Sequence, residues 1–207
     1  MKKIILISTI LIASVVAWTV FANSPVADSA KVGEKAPDFS LVDSYGKSHS
    51  LSDFSGKFVV LEWLNHDCPF VRKFYNAGKM QELQKMYTGK DVVWLSVISS
   101  KEGAQGHMTP EQINKAVQDK GSHATAVLID EPGTVGRMYD ARTTPHMFVI
   151  NPDGILLYDG AIDNKSTANP ADLEGAENYV VAALDAAMDG KEVAVKTTRP
   201  YGCSVKY

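Results

Sequence analysis

The segment FVVLEWLNHDCPFVRKFYN, residues 58–76, decides the fold of this chain. Residues 58–64 are an apolar run with β-branched side chains, which predicts a buried strand. Residues 69–86 carry apolar side chains at the spacing of an amphipathic helix. A second strand is predicted over 91–98. Since strand, helix and strand follow one another, we expect a right-handed crossover joining two parallel strands.

The downstream sequence continues this alternation. Thr109 and Pro110 are a hydroxyl cap followed by a proline suited to the first helical position. The tetrapeptide NPDG at 151–154 favours a tight turn between two antiparallel strands. The further elements predicted are a helix at 109–120, a strand at 126–129, a short helix at 133–140, a hairpin of strands 146–150 and 155–158, and a helix at 172–188.

The N-terminal residues have the pattern of an export signal. Lys2 and Lys3 precede an apolar run at 4–21, and Ala22 provides a small residue for cleavage. We therefore predict a signal peptide at 1–22, a short polar linker at 23–30 and an exported, periplasmic domain. Because the apolar run approaches the ~18 residues of a membrane helix, an uncleaved anchor is the alternative. Contact with the membrane is expected only in that case.

The overall charge excludes one class of partner. Removal of Lys2 and Lys3 with the leader takes the formal net charge from −3 to −5. Nucleic acids and anionic membrane surfaces are bound by basic surfaces. We therefore expect no nucleic-acid partner.

Cys68 is the first candidate for chemistry. It follows the predicted strand and its turn, and Pro69 follows it, so we predict that it caps the helix. The free N–H groups and the dipole at a helix N-terminus favour a thiolate there. The charged neighbours in the sequence are Asp67, which opposes a thiolate, and His66, Arg72 and Lys73, which would assist one. The alternative is an inert cysteine buried as a small apolar residue.

Three stretches carry a family resemblance: VGEKAPDF at 32–39, LSDFSGK at 51–57 and VVLEW at 59–63. They resemble the opening of the redoxin group, which includes the alkyl hydroperoxide reductase/thiol-specific antioxidant proteins and exported thiol-disulfide oxidoreductases. The likeness covers residues 31–190. It implies an α/β, thioredoxin-like three-layer fold, with a mixed central sheet and helices on both faces. Residues 191–207 then form a C-terminal tail.

The chain departs from this group at two motifs. Thioredoxin-like reductases carry Cys-x-x-Cys, whereas here Val71 stands at the second cysteine position after Cys68. Peroxiredoxins carry Pro-x-x-x-Thr-x-x-Cys, whereas here Leu61 and Asn65 stand at the Pro and Thr positions. The chain is therefore most similar to a peroxiredoxin-like branch that keeps only the first cysteine.

The resemblance also implies roles for residues around Cys68. Glu62 stands where thioredoxins bury an acid that moves a proton, and a buried carboxyl with a raised pKa is a general base. A glutamate partly exposed at a strand end is the alternative. Pro145 is expected to be cis, with the backbone of Thr144 pairing with a substrate peptide. Together with Pro69, these two are the expected substrate-binding residues.

Cys203 is the second cysteine of the chain. It lies in the tail after Gly202, and a flexible tail could bring its thiol to Cys68 as the resolving cysteine. The alternatives are local packing and pairing with another molecule. His66 and His146, with Met147 or Cys203, also resemble a soft-metal ligand set. No metal-ligand spacing accompanies them, so we predict no metal and no cofactor.

The leading hypothesis is therefore an exported thiol-disulfide oxidoreductase that acts through Cys68, with Cys203 or an external thiol resolving the mixed disulfide. The expected partners are a protein that bears a thiol or disulfide, a small thiol, or a peroxide. One alternative is a one-cysteine peroxidase, in which Cys68 passes through a sulfenic acid. Another, from a different class, is a non-catalytic protein that binds copper or a peptide.

Overall fold

The computed structural model describes residues 29–207. The predicted signal peptide and residues 23–28 of the predicted linker lie outside the described residues. Within 29–207, no helix combines the length and the apolar character required to cross a membrane. The N–H of Ala30 already donates to the carbonyl of Met138 at 3.0 Å, so the folded domain includes this residue.

Nine strands and five α-helices make up the described part of the chain. The strands are β1 (Ser40–Asp43), β2 (Ser48–Ser50), β3 (Val59–Trp63), β4 (Val93–Ile98), β5 (Ala126–Ile129), β6 (Thr143–Thr144), β7 (His146–Ile150), β8 (Leu156–Gly160) and β9 (Cys203–Ser204). The helices are α1 (Pro69–Asn76), α2 (Lys79–Thr88), α3 (Pro110–Lys120), α4 (Thr134–Met138) and α5 (Tyr179–Met188), with 3₁₀ helices at Leu51–Phe54 and Pro170–Leu173.

Seven strands form one mixed sheet in the order β2-β1-β5-β4-β3-β7-β8. The central strands β3, β4 and β5 are parallel, while β1, β2, β7 and β8 pair antiparallel. The remaining strands, β6 and β9, form a separate two-stranded sheet. The predicted parallel pairing of β3 with β4 and the predicted hairpin of β7 and β8 are both confirmed.

The alternation of side chains along β3 divides the core into two layers. Val60 faces a cluster that contains buried residues of α1, α2, α3 and α5. Leu61 and Trp63 face the opposite cluster, which contains Val135 of α4. Helices therefore cover both faces of the mixed sheet, as the α/β, three-layer expectation required.

Two predicted helices are shorter than expected. The helix predicted at 69–86 breaks after α1, because Gly78 adopts a left-handed φ of 73° and α2 starts anew behind it. The helix predicted at 172–188 begins only at Tyr179, where the side chain of Asn178 accepts from the N–H of Val181. The edge strand β2 and its neighbour β1 were not predicted. Helix α3, with its Thr109 cap, has the predicted bounds.

Candidate active site

Cys68 lies at the N-cap of α1, as predicted. Its backbone is extended, with φ −72° and ψ 125°, and Pro69 occupies the first helical position on the surface. The fixed φ of proline suits that position, and the preceding residue is driven to extended geometry. The Cys68 side chain is 0% exposed. The thiol is therefore enclosed, and what surrounds it decides its chemistry.

The carbonyl group of Thr144 is one neighbour of this thiol. Cys68 Sγ donates a hydrogen bond to Thr144 O at 3.0 Å. The Thr144–Pro145 peptide bond is cis, and both residues are buried. The ring of His146 supports the loop, since its Nδ1 accepts from the N–H of Arg142 at 3.2 Å and its Nε2 lies 2.7 Å from the Asp159 carboxylate. Of the predicted substrate-binding residues, Pro69 thus follows the cysteine in the chain, Thr144 contacts its sulfur, and Pro145 is joined to Thr144 by the cis bond.

Cys203 is the other neighbour. Its strand β9 pairs antiparallel with β6, which sets Cys203 opposite Thr144 in the register. Burial raises the pKa of Cys68, but hydrogen bonds from the Cys203 thiol, the Cys203 N–H and the Val71 N–H outweigh it, so the net pKa lies below its ordinary value. The tail therefore places Cys203 next to the residue that Cys68 contacts, as a resolving cysteine would require.

The two thiols differ in acidity. Burial, followed by the hydrogen bond to Cys68 and the negative charge of Cys68, raises the pKa of Cys203 to about 11, against smaller opposing effects of Lys206 and Arg72. Of the two thiols, Cys68 therefore loses its proton first, while Cys203 stays protonated at neutral pH. The arrangement can start a nucleophilic attack from Cys68.

The tail is part of the fold and not the mobile extension that Gly202 suggested. Thr198 Oγ1 accepts from the N–H of Ala161 at 2.9 Å. The Tyr201 hydroxyl donates to the carboxylate of Asp163. Beyond β9, the Tyr207 hydroxyl donates to Ala141 O at 2.6 Å. The position of Cys203 is therefore fixed from both sides.

Lys73 does not assist Cys68. Its Nζ lies 3.5 Å from Asp163 Oδ2 and donates to Lys165 O at 2.9 Å, and both members of the ion pair are buried. The Tyr201 hydroxyl also donates to the Asp163 carboxylate, so the ion pair is in contact with the tail. The basic residue predicted to act on the thiol instead forms part of the anchor for the tail.

His66 also differs from its expectation. Burial, together with the positive charge of Lys120, lowers its pKa to about 4 against the opposing effect of Asp67. The imidazole is therefore neutral at neutral pH, and it packs edge-on against Tyr75 with ring centroids 5.0 Å apart. A neutral ring offers no charge to stabilise a thiolate.

Glu62 is buried, with an exposed fraction of 0%. Its carboxylate accepts hydrogen bonds from four side chains: Trp94 at 2.8 Å, Ser96 at 3.0 Å, Tyr75 at 3.0 Å and Gln84 at 3.2 Å. Burial raises its pKa, although these four donors act in the opposite direction. None of its hydrogen-bond donors within residues 29–207 is a cysteine. The structure thus confirms the burial and does not bring Glu62 into contact with Cys68 or Cys203.

The residues that resembled a soft-metal ligand set in the sequence are not brought together as one. His146 is occupied by Asp159 and by the N–H of Arg142, and His66 packs against Tyr75. Within the described chain, no group of three or more His, Cys, Asp or Glu residues is arranged to hold a metal ion.

Sequence reasoning missed the residues that hold the tail. Tyr201 stands two positions before Cys203, and Tyr207 is the last aromatic residue of the chain. These two aromatic residues, one on each side of Cys203, were the sequence feature that could have indicated that the tail packs against the domain. Their binding partners, Asp163 and Ala141, carry no such mark in the sequence.

Comparisons with known proteins agree with this architecture. The model of the AhpC/TSA family matches residues 32–159. The thioredoxin-like protein YneN of Bacillus subtilis is 28% identical, with 69% of this chain and 79% of that protein covered. The thiol-disulfide oxidoreductase ResA of the same organism is 30% identical, with 61% of this chain and 65% of that protein covered. The crystal structure of an uncharacterized conserved protein from Geobacillus kaustophilus superimposes with a TM-score of 0.74 at 27% identity, covering 86% of this chain and 92% of that one.

Proposed function

This chain belongs to the AhpC/TSA family, and from that premise we propose that it is an exported thiol-disulfide oxidoreductase in which Cys68 attacks and Cys203 resolves. The relatives support the broad class, an oxidoreductase of thiols and disulfides, because ResA is itself a thiol-disulfide oxidoreductase. Export rests on the leader pattern of residues 1–22. The roles of the two cysteines rest on the site.

The placement of the two cysteines at one residue carries the proposal. Cys68 Sγ donates to the carbonyl of Thr144, and Cys203 stands opposite Thr144 in the pairing of β6 with β9. A Cys-x-x-Cys enzyme keeps its resolving thiol one turn along the helix, where this chain has Val71. Here the tail supplies that thiol from a separate strand.

The reaction proceeds in two exchanges. The Cys68 thiolate attacks one sulfur of a disulfide R–S–S–R′, forms a mixed disulfide with R–S and expels R′–S⁻, which takes up a proton. Cys203 then loses its proton, attacks the sulfur of Cys68 and expels R–S⁻. The substrate disulfide gains two electrons and the two protein thiols lose them as the Cys68–Cys203 disulfide forms. An external dithiol restores the protein.

The coupling between the two thiols sets the order of these steps. The hydrogen bond to Cys68 and its charge are two of the causes that raise the pKa of Cys203. Both weaken once Cys68 is in a mixed disulfide, because its sulfur then carries no charge. Cys203 therefore becomes easier to deprotonate after the first exchange.

Glu62 is proposed as a positioning residue rather than the general base. It accepts from the hydroxyl of Tyr75 on α1 and lies itself on β3. It therefore ties the helix that Cys68 caps to the centre of the sheet. Proton transfer at the thiols falls to Cys203 and to the leaving group.

The peroxidase alternative is less well supported. Condensation of a Cys68 sulfenic acid with Cys203 would release water and give the same disulfide. However, the side chain of Asn65, at the position of the activating threonine, is used within the turn: it accepts from the N–H of Asp67 at 2.8 Å and donates to Gln105 O at 3.3 Å. A slow, thiol-like rate with hydrogen peroxide in stopped flow is expected, and fast consumption would favour the peroxidase.

Turnover of a glutathionylated peptide by the mature chain tests the proposal. Cys68→Ser should abolish turnover, and Cys203→Ser should accumulate a mixed disulfide on Cys68, identified by mass mapping without reductant. Mild oxidation of the wild type should give a Cys68–Cys203 linkage. Undiminished turnover by Cys68→Ser would overturn the nucleophile, and absence of the linkage would overturn the resolving role.

A further inference from the structure

The strand β9 occupies the edge at which an extended segment would approach Cys68. Cys203 pairs with Thr144 and Ser204 pairs with Thr143, both antiparallel. The carbonyl of Thr144 also accepts from Cys68 Sγ. A cysteine at position 203 of this ladder is therefore presented to the attacking sulfur. A substrate segment that paired with the same edge would have to displace β9.

The segment fits this edge through a close approach at Gly202. A Cβ atom on Gly202 would lie 2.1 Å from Thr144 O and 2.8 Å from Thr144 C, and its φ is 139°. Backbone atoms cannot give way as a flexible side chain can. The edge therefore accepts a glycine immediately before the cysteine and rejects any larger residue.

We propose that residues 202–204 are a built-in occupant of this edge, and that a protein substrate binds by strand exchange, with an extended segment carrying Gly-Cys in place of β9. The proposal rests on the proposed function and names its substrate class. Cys68 attacks the sulfur of the incoming cysteine and expels the sulfur bonded to it. The bound segment then leaves the edge, β9 returns, and Cys203 expels the substrate cysteine as a thiolate.

The anchors on either side of β9 control this exchange. The Tyr207 ring fills a slot over two glycines, since a Cβ on Gly133 or Gly136 would fall 2.2 Å or 2.5 Å from its atoms. The guanidinium of Arg137 lies 4.5 Å from the centre of the same ring. On the other side, Tyr201 binds the buried Asp163. The contacts made by a protein partner must therefore offset the loss of the Tyr207 contacts. Tyr207 itself takes no part in the thiol chemistry.

The test compares two disulfide probes on the mature chain. One is the peptide TRPYGCSVKY, the sequence of residues 198–207, with its cysteine bonded to the chromophore thionitrobenzoate; the other is the small disulfide DTNB. All proteins carry Cys203→Ser, so that only Cys68 reacts. Tyr207→Ala and Gly136→Ala should each raise the peptide rate about tenfold, because the open edge becomes more populated. A peptide with alanine before its cysteine should react at least about tenfold more slowly, because its Cβ would clash with the backbone of Thr144. A tenfold change in rate requires a steric cost of only ~1.4 kcal/mol.

The controls keep the outcomes distinct. Tyr45→Ala removes an exposed tyrosine and should change neither rate. Tyr207→Phe keeps the ring in its slot and loses only the bond to Ala141, so it gives a milder readout if Tyr207→Ala fails to fold by circular dichroism. No increase in the peptide rate, or equal rates for the glycine and alanine peptides, would overturn the strand-exchange proposal. No reaction of Cys68 with either probe in any protein would overturn the proposed function itself.

Discussion

The sulfur of Cys68 lies 3.0 Å from the carbonyl oxygen of Thr144, a residue 76 positions later in the chain. Thr144 is paired in turn with Cys203. One residue of a two-residue strand therefore contacts the attacking cysteine and aligns the resolving one. The consequences of this arrangement can be measured at each of its parts.

The acidity of Cys68 depends on Cys203. Cys203→Ala removes the thiol donor that lowers the pKa of Cys68, so that pKa should rise, and alkylation by iodoacetamide should need a higher pH. Cys203→Ser retains a hydroxyl donor, so the pKa of Cys68 should rise less in this variant. The pH profile of the alkylation rate is the measurement. Identical profiles in the wild type and Cys203→Ala would contradict the hydrogen bond.

The position of β9 depends on Gly202. Gly202→Ala places a Cβ 2.1 Å from Thr144 O, so β9 must shift. Because a misplacement of 1 Å can cost a large factor in rate, formation of the Cys68–Cys203 disulfide should slow about 10- to 100-fold. Gly46→Ala is the matched control: its φ is also positive, at 82°, yet no atom lies within 4 Å of the added Cβ. Equal rates for the two variants would exclude the steric explanation.

The buried ion pair stabilises the domain and the tail. Lys73→Met leaves the Asp163 carboxylate without its cation, which should lower the free energy of unfolding by about 3 kcal/mol. The double variant Lys73→Met with Asp163→Leu should recover part of this loss. Lys79→Met breaks an exposed pair with Glu82 and should cost less than about 1 kcal/mol. Urea denaturation gives all three values, and equal effects at Lys73 and Lys79 would contradict the burial argument.

Glu62 should make the stability of the domain depend on pH. Its folded pKa is raised above the ordinary value of 4.5, because burial disfavours the charge. Between the ordinary and the raised pKa the folded state binds more protons than the unfolded state, so this contribution to stability falls as pH rises through that interval. Glu62→Gln keeps a similar shape, since the Tyr75 hydroxyl can turn to accept from the new amide. Thermal denaturation across this range should show the slope in the wild type and its loss in the variant, and parallel curves would contradict the raised pKa.

Local elements could be predicted from the sequence to a large extent. Strand β5 and helix α3 have the predicted bounds, because a short apolar run and a Thr-Pro cap act within a few residues. The break at Gly78 was missed, since a glycine inside an amphipathic pattern does not by itself reveal a left-handed turn. Strand β2 was missed because its residues Ser48–Ser50 have little apolar character.

The site was only partly predictable. The N-cap position of Cys68 follows from a strand, a turn and a proline that adjoin it in the sequence. The burial of Glu62 remained open, because a strand pattern gives the face of a side chain and not what covers it. The role of Lys73 was misjudged, since its partner Asp163 is distant along the chain.

The sequence by itself determined an α/β domain with one helix-capping cysteine, because hydrophobic periodicity, turns and caps are local properties. Only the tertiary structure decided that Cys203 lies against Cys68 and that β9 fills the edge at Thr144. The tail docks through Tyr201 on Asp163 and Tyr207 over Gly136. These contacts join residues far apart in the chain, and no local pattern of either partner specifies the other.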